Sequence, residues 1–115
     1  MELGWLEPER VRPLTRAEYD RMVEAGIFRK RERIELIRGW LVRMSPIGDD
    51  HAETVDLLME LLVLRLEKRA RVRCAGPFAA SDDSEPEPDL SVLPRRSYRH
   101  GHPTRVLRFK PDRAA

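Results

Sequence analysis

Apolar residues recur along this chain with two different periods, and each period predicts a type of secondary structure. From Tyr19 onward, apolar side chains fall at positions i, i+3 and i+4, as on one face of a helix. Thr15 and Glu18 stand three residues apart, the spacing of a capping box that satisfies free N–H groups of a first turn. Gly26 is suited to the left-handed conformation that often ends a helix. The pattern therefore predicts a short helix over residues 15–25.

A period of two follows in the next segment, on both sides of Arg38-Gly39. Residues 34–37 read Ile-Glu-Leu-Ile, and residues 40–44 again alternate, with Trp, Val and Met at every second position. Such alternation places every second side chain on one face of a strand. Two alternating runs around a tight, glycine-containing turn predict a β-hairpin.

The longest apolar stretch predicts a second helix, which Asp49 or Asp50 can cap and which runs to about Arg69. Leucines and other apolar residues cover most of its circumference. Its polar strip consists of Glu53, Asp56, Glu60 and Glu67. A helix this apolar is expected to lie between a sheet and a further layer, such as a second subunit.

Shorter apolar runs predict the remaining strands. Residues 71–74 alternate, residues 81–88 form a polar and acidic loop, and residues 90–93 are apolar directly after Pro88-Asp89. A last strand is predicted at 105–109. The order helix, hairpin, long helix, strand, strand indicates an α/β or α+β fold with the long helix on a mixed sheet, whose last edge is exposed unless another chain covers it.

Composition narrows the class of protein without naming one. The chain has 115 residues, 41% hydrophobic and 37% charged, which predicts at most one domain. No apolar run is long enough for a membrane span, and the amino terminus lacks the apolar region of a secretory signal. The single cysteine, Cys74, excludes an internal disulfide and a cysteine-based zinc cluster, and we expect it to pack in the core. A cytoplasmic setting is expected.

Charge is unevenly distributed although the formal net charge is only +2. Acidic residues concentrate between 82 and 89, and the chain after Pro94 is basic. The basic side chains are Arg95, Arg96, Arg99, Arg105, Arg108, Lys110 and Arg113. Such a segment can hold phosphates by counterion release, and it can equally be a solvated end.

Two carboxylates are candidates for binding a metal ion. Asp89 precedes a predicted buried strand, so its side chain lies at the rim of the sheet, where Mg²⁺ can reach an oxygen ligand. Proline before aspartate is also ordinary turn chemistry. Glu35 lies in the middle of a strand and is either a surface residue or, if it faces the same cleft as Asp89, a second ligand.

Histidines offer a further candidate group. His51 lies in the first turn of the long helix, where the helix dipole favours a neutral imidazole that can contact phosphate or metal. Simple surface placement is the alternative. His100 and His102 lie together in a loop, but two ligands without a third do not define a zinc site. The chain contains no glycine-rich phosphate loop and no Ser-His-Asp order.

Taken in order, these pieces resemble the Uma-two family. The resemblance covers about residues 14–104 and rests on LTRAEYDRMVEAG, RIELIRGWLVRMSPIG, the histidine at the start of a leucine-rich helix, and SEPEPDLSVL. It implies a restriction-endonuclease-like fold of the PD-(D/E)-x-K type and Mg²⁺-dependent cleavage of DNA. It further implies that Glu35 and Asp89 are metal ligands and that His51 supports the catalytic site.

The resemblance stops near residue 104. The family pattern continues with a strand of the form V-x-E-V, which carries a second acid, and with a lysine on a following helix; this chain reads RVLRFKPDRAA. We therefore predict an irregular segment over 1–13, a partial nuclease domain over 14–104 and a divergent basic tail over 105–115, with metal binding and cleavage weakened. Two alternatives stay open: a non-catalytic, truncated remnant that dimerises through its sheet edge, and a small binding module acting through the basic tail.

Overall fold

The computed structural model describes residues 4, 5 and 7–108, in an α+β architecture of two helices and two small antiparallel sheets. The α+β class is the one predicted. The helices are α1 (Arg16–Glu24) and α2 (Asp49–Leu66), after a short 3-10 turn at Pro8–Arg10. The strands are β1 (Ile34–Ile37), β2 (Trp40–Arg43), β3 (Arg71–Cys74) and β4 (Leu90–Leu93), paired as β1-β2 and β3-β4.

The chain divides into two compact units. The first unit comprises the chain up to Ser45 together with Ala80–Pro86, and it holds α1, β1 and β2. The second unit comprises Pro46–Ala79 and the chain from Glu87 onward, and it holds α2, β3 and β4. Each sheet is thus confined to one unit.

Helix α1 begins as predicted, with the reciprocal capping box between Thr15 and Glu18. The Glu18 N–H donates to Thr15 Oγ1 at 3.1 Å, and the Thr15 N–H donates to Glu18 Oε1 at 3.0 Å. Tyr19 is buried, and its hydroxyl donates to the carbonyl of Ile34 at 3.0 Å. Helix α1 is therefore joined to the first strand by both apolar burial and a hydrogen bond.

The β1-β2 hairpin has the predicted turn. Arg38 and Gly39 both have positive φ (49° and 83°), as in the two-residue turns whose twist suits a hairpin. The register pairs Ile37 with Trp40. Leu36 is fully buried and exchanges two main-chain hydrogen bonds with Glu85, so the acidic loop covers the other edge of β1.

Helix α2 begins at Asp49, so the prediction that Asp49 or Asp50 caps it is wrong. The helix ends at Leu66, three residues earlier than expected, because Glu67 leaves the helical conformation with φ of 52°. Gly48 is the N-cap residue, and Asp49 and Asp50 lie in the first turn. Leu66 is buried, but a broad apolar surface is between 46% and 69% exposed. That surface consists of Leu57, Leu58, Leu61, Val63 and Leu64. No helix within the described residues is long and apolar enough to cross a membrane.

Strands β3 and β4 pair with Cys74 opposite Leu90, and β4 is the buried strand that was predicted, with Leu93 fully enclosed. Cys74 is exposed, so the prediction that it packs in the core is wrong. The cysteine is the last residue of β3, and the backbone turns away immediately after it, with φ of 57° at Ala75 and 89° at Gly76. Its side chain therefore lies at the rim of the sheet.

The strand predicted at 105–109 does not form within residues 105–108, and Phe109 lies outside the described residues. One main-chain bond does join this segment to β4, from the Leu107 N–H to the carbonyl of Val92 at 2.8 Å. A single bond fixes one point of contact without extending the ladder.

Candidate functional site

The structure brings together two of the three side chains singled out in the sequence. Nε2 of His51 lies 2.8 Å from Oδ2 of Asp89, a distance short enough for a hydrogen bond from an imidazole N–H to a carboxylate. The side chains are 50% and 45% exposed. The pair is therefore ordered by a direct contact and also open to solvent on one side.

Asp89 is held at the rim of the second sheet by its main chain. Cys74 pairs with Leu90 at the end of the ladder, and one position further the Ala75 N–H donates to the Asp89 carbonyl at 2.9 Å. This extra hydrogen bond continues the pairing past the last residues of β3 and β4. The Asp89 carboxylate thus projects from the border between a buried strand and solvent, as the sequence predicted.

His51 reaches this rim because α2 folds back along β3. A short connection of four residues, including the buried Ala70, links Leu66 to Arg71, and α2 and β3 are in contact. A helix of 18 residues is long enough to carry its first turn past the end of a four-residue strand. The third residue of α2 therefore meets the residue that precedes β4.

The pair has the chemistry of a supported metal ligand. A carboxylate is a hard oxygen donor of the kind that Mg²⁺ prefers. When the Nε2–H of His51 donates to Oδ2, it fixes the rotation of the carboxylate, as outer hydrogen bonds orient ligands in known metal sites. An imidazole beside a carboxylate can also move a proton.

Glu35, the third candidate, lies in the first unit and not in the unit that holds His51 and Asp89. It occupies the middle of β1 opposite Val42, and its side chain is half-buried. His100 is exposed and His102 is half-buried. The family resemblance alone linked His51 to the site of Asp89. The hydrogen bond between them was not predicted, because they are far apart in the chain and only the folding of α2 onto β3 joins them.

The basic segment after Pro94 is partly organised around one aromatic ring. The guanidinium carbon of Arg96 lies 4.4 Å from the centroid of the Tyr98 ring, and that of Arg71 lies 5.8 Å away. The Tyr98 hydroxyl donates to the Pro94 carbonyl at 2.7 Å. Arg105 and Arg108 border an open cavity of about 420 Å³. Lys110 and Arg113 lie outside the described residues.

Fold and site together define a small α+β domain with a histidine-supported carboxylate at a strand rim. The model of the Uma-two (Uma2) family, described as "Putative restriction endonuclease", matches residues 16–113. The chain belongs to this family, which confirms the resemblance. The matched range includes residues 105–113 of the basic tail. Comparisons with curated proteins and with solved structures gave no match.

Proposed function

We propose that this protein hydrolyses phosphodiester bonds of DNA in a reaction that depends on a divalent cation, with Mg²⁺ as the expected ion. Family membership supports the reaction class. The observation that carries the proposal for this chain is the 2.8 Å contact between His51 and Asp89 at the rim of the second sheet.

The residues present fit a divalent cation of this type. Asp89 offers a hard oxygen donor, its carboxylate is accessible from solvent, and its main chain and side chain are each fixed by a hydrogen bond. When bound, Mg²⁺ would stabilise negative charge on the scissile phosphate and favour ionisation of an attacking water. Glu35 is proposed as a further carboxylate ligand on the basis of the family pattern alone.

In this proposal two side chains of the protein hold the cation in place. Asp89 binds the cation, and His51 is the positioning residue that keeps the carboxylate from rotating away. A carboxylate that is held by a hydrogen bond, on a main chain that is itself fixed, loses little rotational freedom on binding, which favours affinity.

The test is a plasmid-nicking assay on the purified protein with Mg²⁺, with Mn²⁺ and with a chelator. We expect metal-dependent nicking by the native protein, its loss in Asp89→Asn and its retention in Asp56→Asn. Asp56 is a matched control because it is an exposed aspartate of the same unit, on α2. Glu35→Gln examines the second carboxylate in the same assay.

Two results would contradict the proposal. One is the absence of nicking by the native protein with either cation. The other is equal nicking by the native protein and Asp89→Asn, which would remove Asp89 from the site. Circular dichroism of each variant separates a lost ligand from a lost fold.

A further inference from the structure

A second polar feature lies in the first unit, where several arginines line an open groove of about 320 Å³. Its lining consists of Arg29, Arg31, Glu32, Arg33, Arg43 and Met44. Four arginines and one glutamate thus line the groove. The groove is formed by the turn that precedes β1 and by the end of β2.

The side chain of Glu32 mainly stabilises the turn and neutralises little of the positive charge in the groove. Oε2 of Glu32 accepts the Arg29 N–H at 3.1 Å, and the Glu32 N–H donates to the Arg29 carbonyl at 2.9 Å, so both groups close the turn. Oε1 of Glu32 lies 3.9 Å from Nη2 of Arg43. One arginine is partly balanced, and the groove keeps an excess of positive charge.

Three of the four arginines, Arg29, Arg31 and Arg43, are exposed to solvent. Arg33 is held in place, since its Nη1 donates to the Ser45 carbonyl at 3.3 Å and its own carbonyl accepts the Met44 N–H at 2.9 Å. Arg31 is exposed, and the side chain of Arg43 is 85% exposed. The groove therefore combines one arginine held by a hydrogen bond with exposed arginines that a ligand can reach.

We propose that this groove binds the phosphate backbone of duplex DNA. A guanidinium matches two phosphate oxygens at once, so arginine is the side chain best suited to such contacts. Several exposed guanidinium groups around an open groove suit a polymer with regularly spaced charges, whereas a single small anion is better held in an enclosed site. The choice of DNA as the polyanion rests on the proposed function.

The test measures binding without cleavage. Affinity for a short fluorescein-labelled duplex is followed by fluorescence anisotropy in the presence of a chelator, over a series of salt concentrations. Arg31→Gln/Arg43→Gln is compared with Arg10→Gln/Arg21→Gln, which removes the same charge from exposed arginines of the same unit outside the groove. We expect the groove variant to lose about tenfold or more in affinity at low salt, and its slope of log K against log salt to fall by roughly 1.8, about 0.9 for each lost phosphate contact.

Equal affinities and slopes for the groove and control variants would overturn the proposal. A second result would also overturn it: inorganic phosphate competes for the groove, while the groove variant keeps the native slope of log K against log salt for the duplex. That result would indicate a site for a single anion. Absence of cleavage by the native protein, with the groove and control variants still differing in affinity, therefore counts against the proposed function alone. Equal affinities of the two variants count against the groove alone.

Discussion

Gly39 lies so close to Pro13 that a Cβ atom on the glycine would stand 2.3 Å from the Pro13 Cβ and 2.9 Å from its Cα. The same glycine has φ of 83°, its N–H donates to the Asp83 carbonyl at 2.7 Å, and its carbonyl accepts the Leu14 N–H at 3.0 Å. Three segments of the first unit therefore meet at a residue without a side chain.

Gly39→Ala is expected to destabilise the protein by about 2–4 kcal/mol, from the positive φ together with the backbone shift that the contact with Pro13 demands. Urea unfolding measures this difference. Gly101→Ala is the control, because its φ is not positive and a Cβ there would meet nothing within 4 Å. Similar losses in both variants would show that the packing at Pro13 is unimportant.

The pKa of Glu18 is lowered from its ordinary value of 4.5 to about 2, mainly by the side-chain hydrogen bond from Arg12 and then by the backbone hydrogen bond from Thr15. Because the folded state favours the ionised form, the resulting stabilisation is present above pH 4.5 and is lost as the pH falls towards 2. We expect the stability difference between the native protein and Glu18→Gln to shrink across this window in thermal unfolding.

Glu24→Gln provides the matched control for that experiment, since it removes a carboxylate from the other end of α1. The difference in stability between Glu24→Gln and the native protein should not shrink over this pH range as it does for Glu18→Gln. Parallel pH profiles for the native protein and Glu18→Gln would show that ionisation of Glu18 does not stabilise the folded state in this range.

His51→Ala should weaken cation binding about 10- to 100-fold, the usual effect of removing a group that orients a ligand. The affinity for Mn²⁺ is measured without cleavage, from the electron paramagnetic resonance signal of the unbound ion. His51→Gln keeps an N–H donor and is expected to recover part of the affinity. If His51→Ala binds Mn²⁺ as tightly as the native protein, the imidazole does not position Asp89 for a cation.

Two leucines of α2 should respond differently to the same substitution. Leu66 is 8% exposed and Leu64 is 69% exposed. Leu66→Ala is expected to cost about 2–4 kcal/mol through lost burial and a residual cavity, and Leu64→Ala to lie within about 0.5 kcal/mol of the native protein. Urea unfolding of the two variants checks the assignment. Comparable losses would show that the outer face of α2 is covered in solution.

Local signals were sufficient for the elements that close over a few residues. Thr15 and Glu18 contact each other across one turn, and Arg38-Gly39 directly joins the two strands that it pairs. In both places the residues that determine the local structure are neighbours in the sequence and contact each other directly. The start of α1 and the hairpin were therefore predictable from the sequence.

Features that depend on distant parts of the chain were not predictable in the same way. The sequence indicated that α2 could be buried on most sides, but apolar periodicity does not reveal whether another segment covers each side, and Leu57 through Leu64 include several exposed residues. Cys74 was misplaced because its exposure depends on the turn at Ala75. The hydrogen bond between His51 and Asp89 and the groove around Arg43 both require tertiary contacts.

The exposed apolar surface of α2 has a consequence for the exchange of its amide hydrogens. A helix with few covering neighbours opens locally at a small free-energy cost, and its amides then exchange with solvent faster than those of a buried strand such as β4. His51 links the first turn of α2 to Asp89, so a cation or phosphate bound at this pair should slow deuterium uptake there. Deuterium uptake over the first turns of α2 therefore reports occupancy of the site even when no bond in DNA is cleaved.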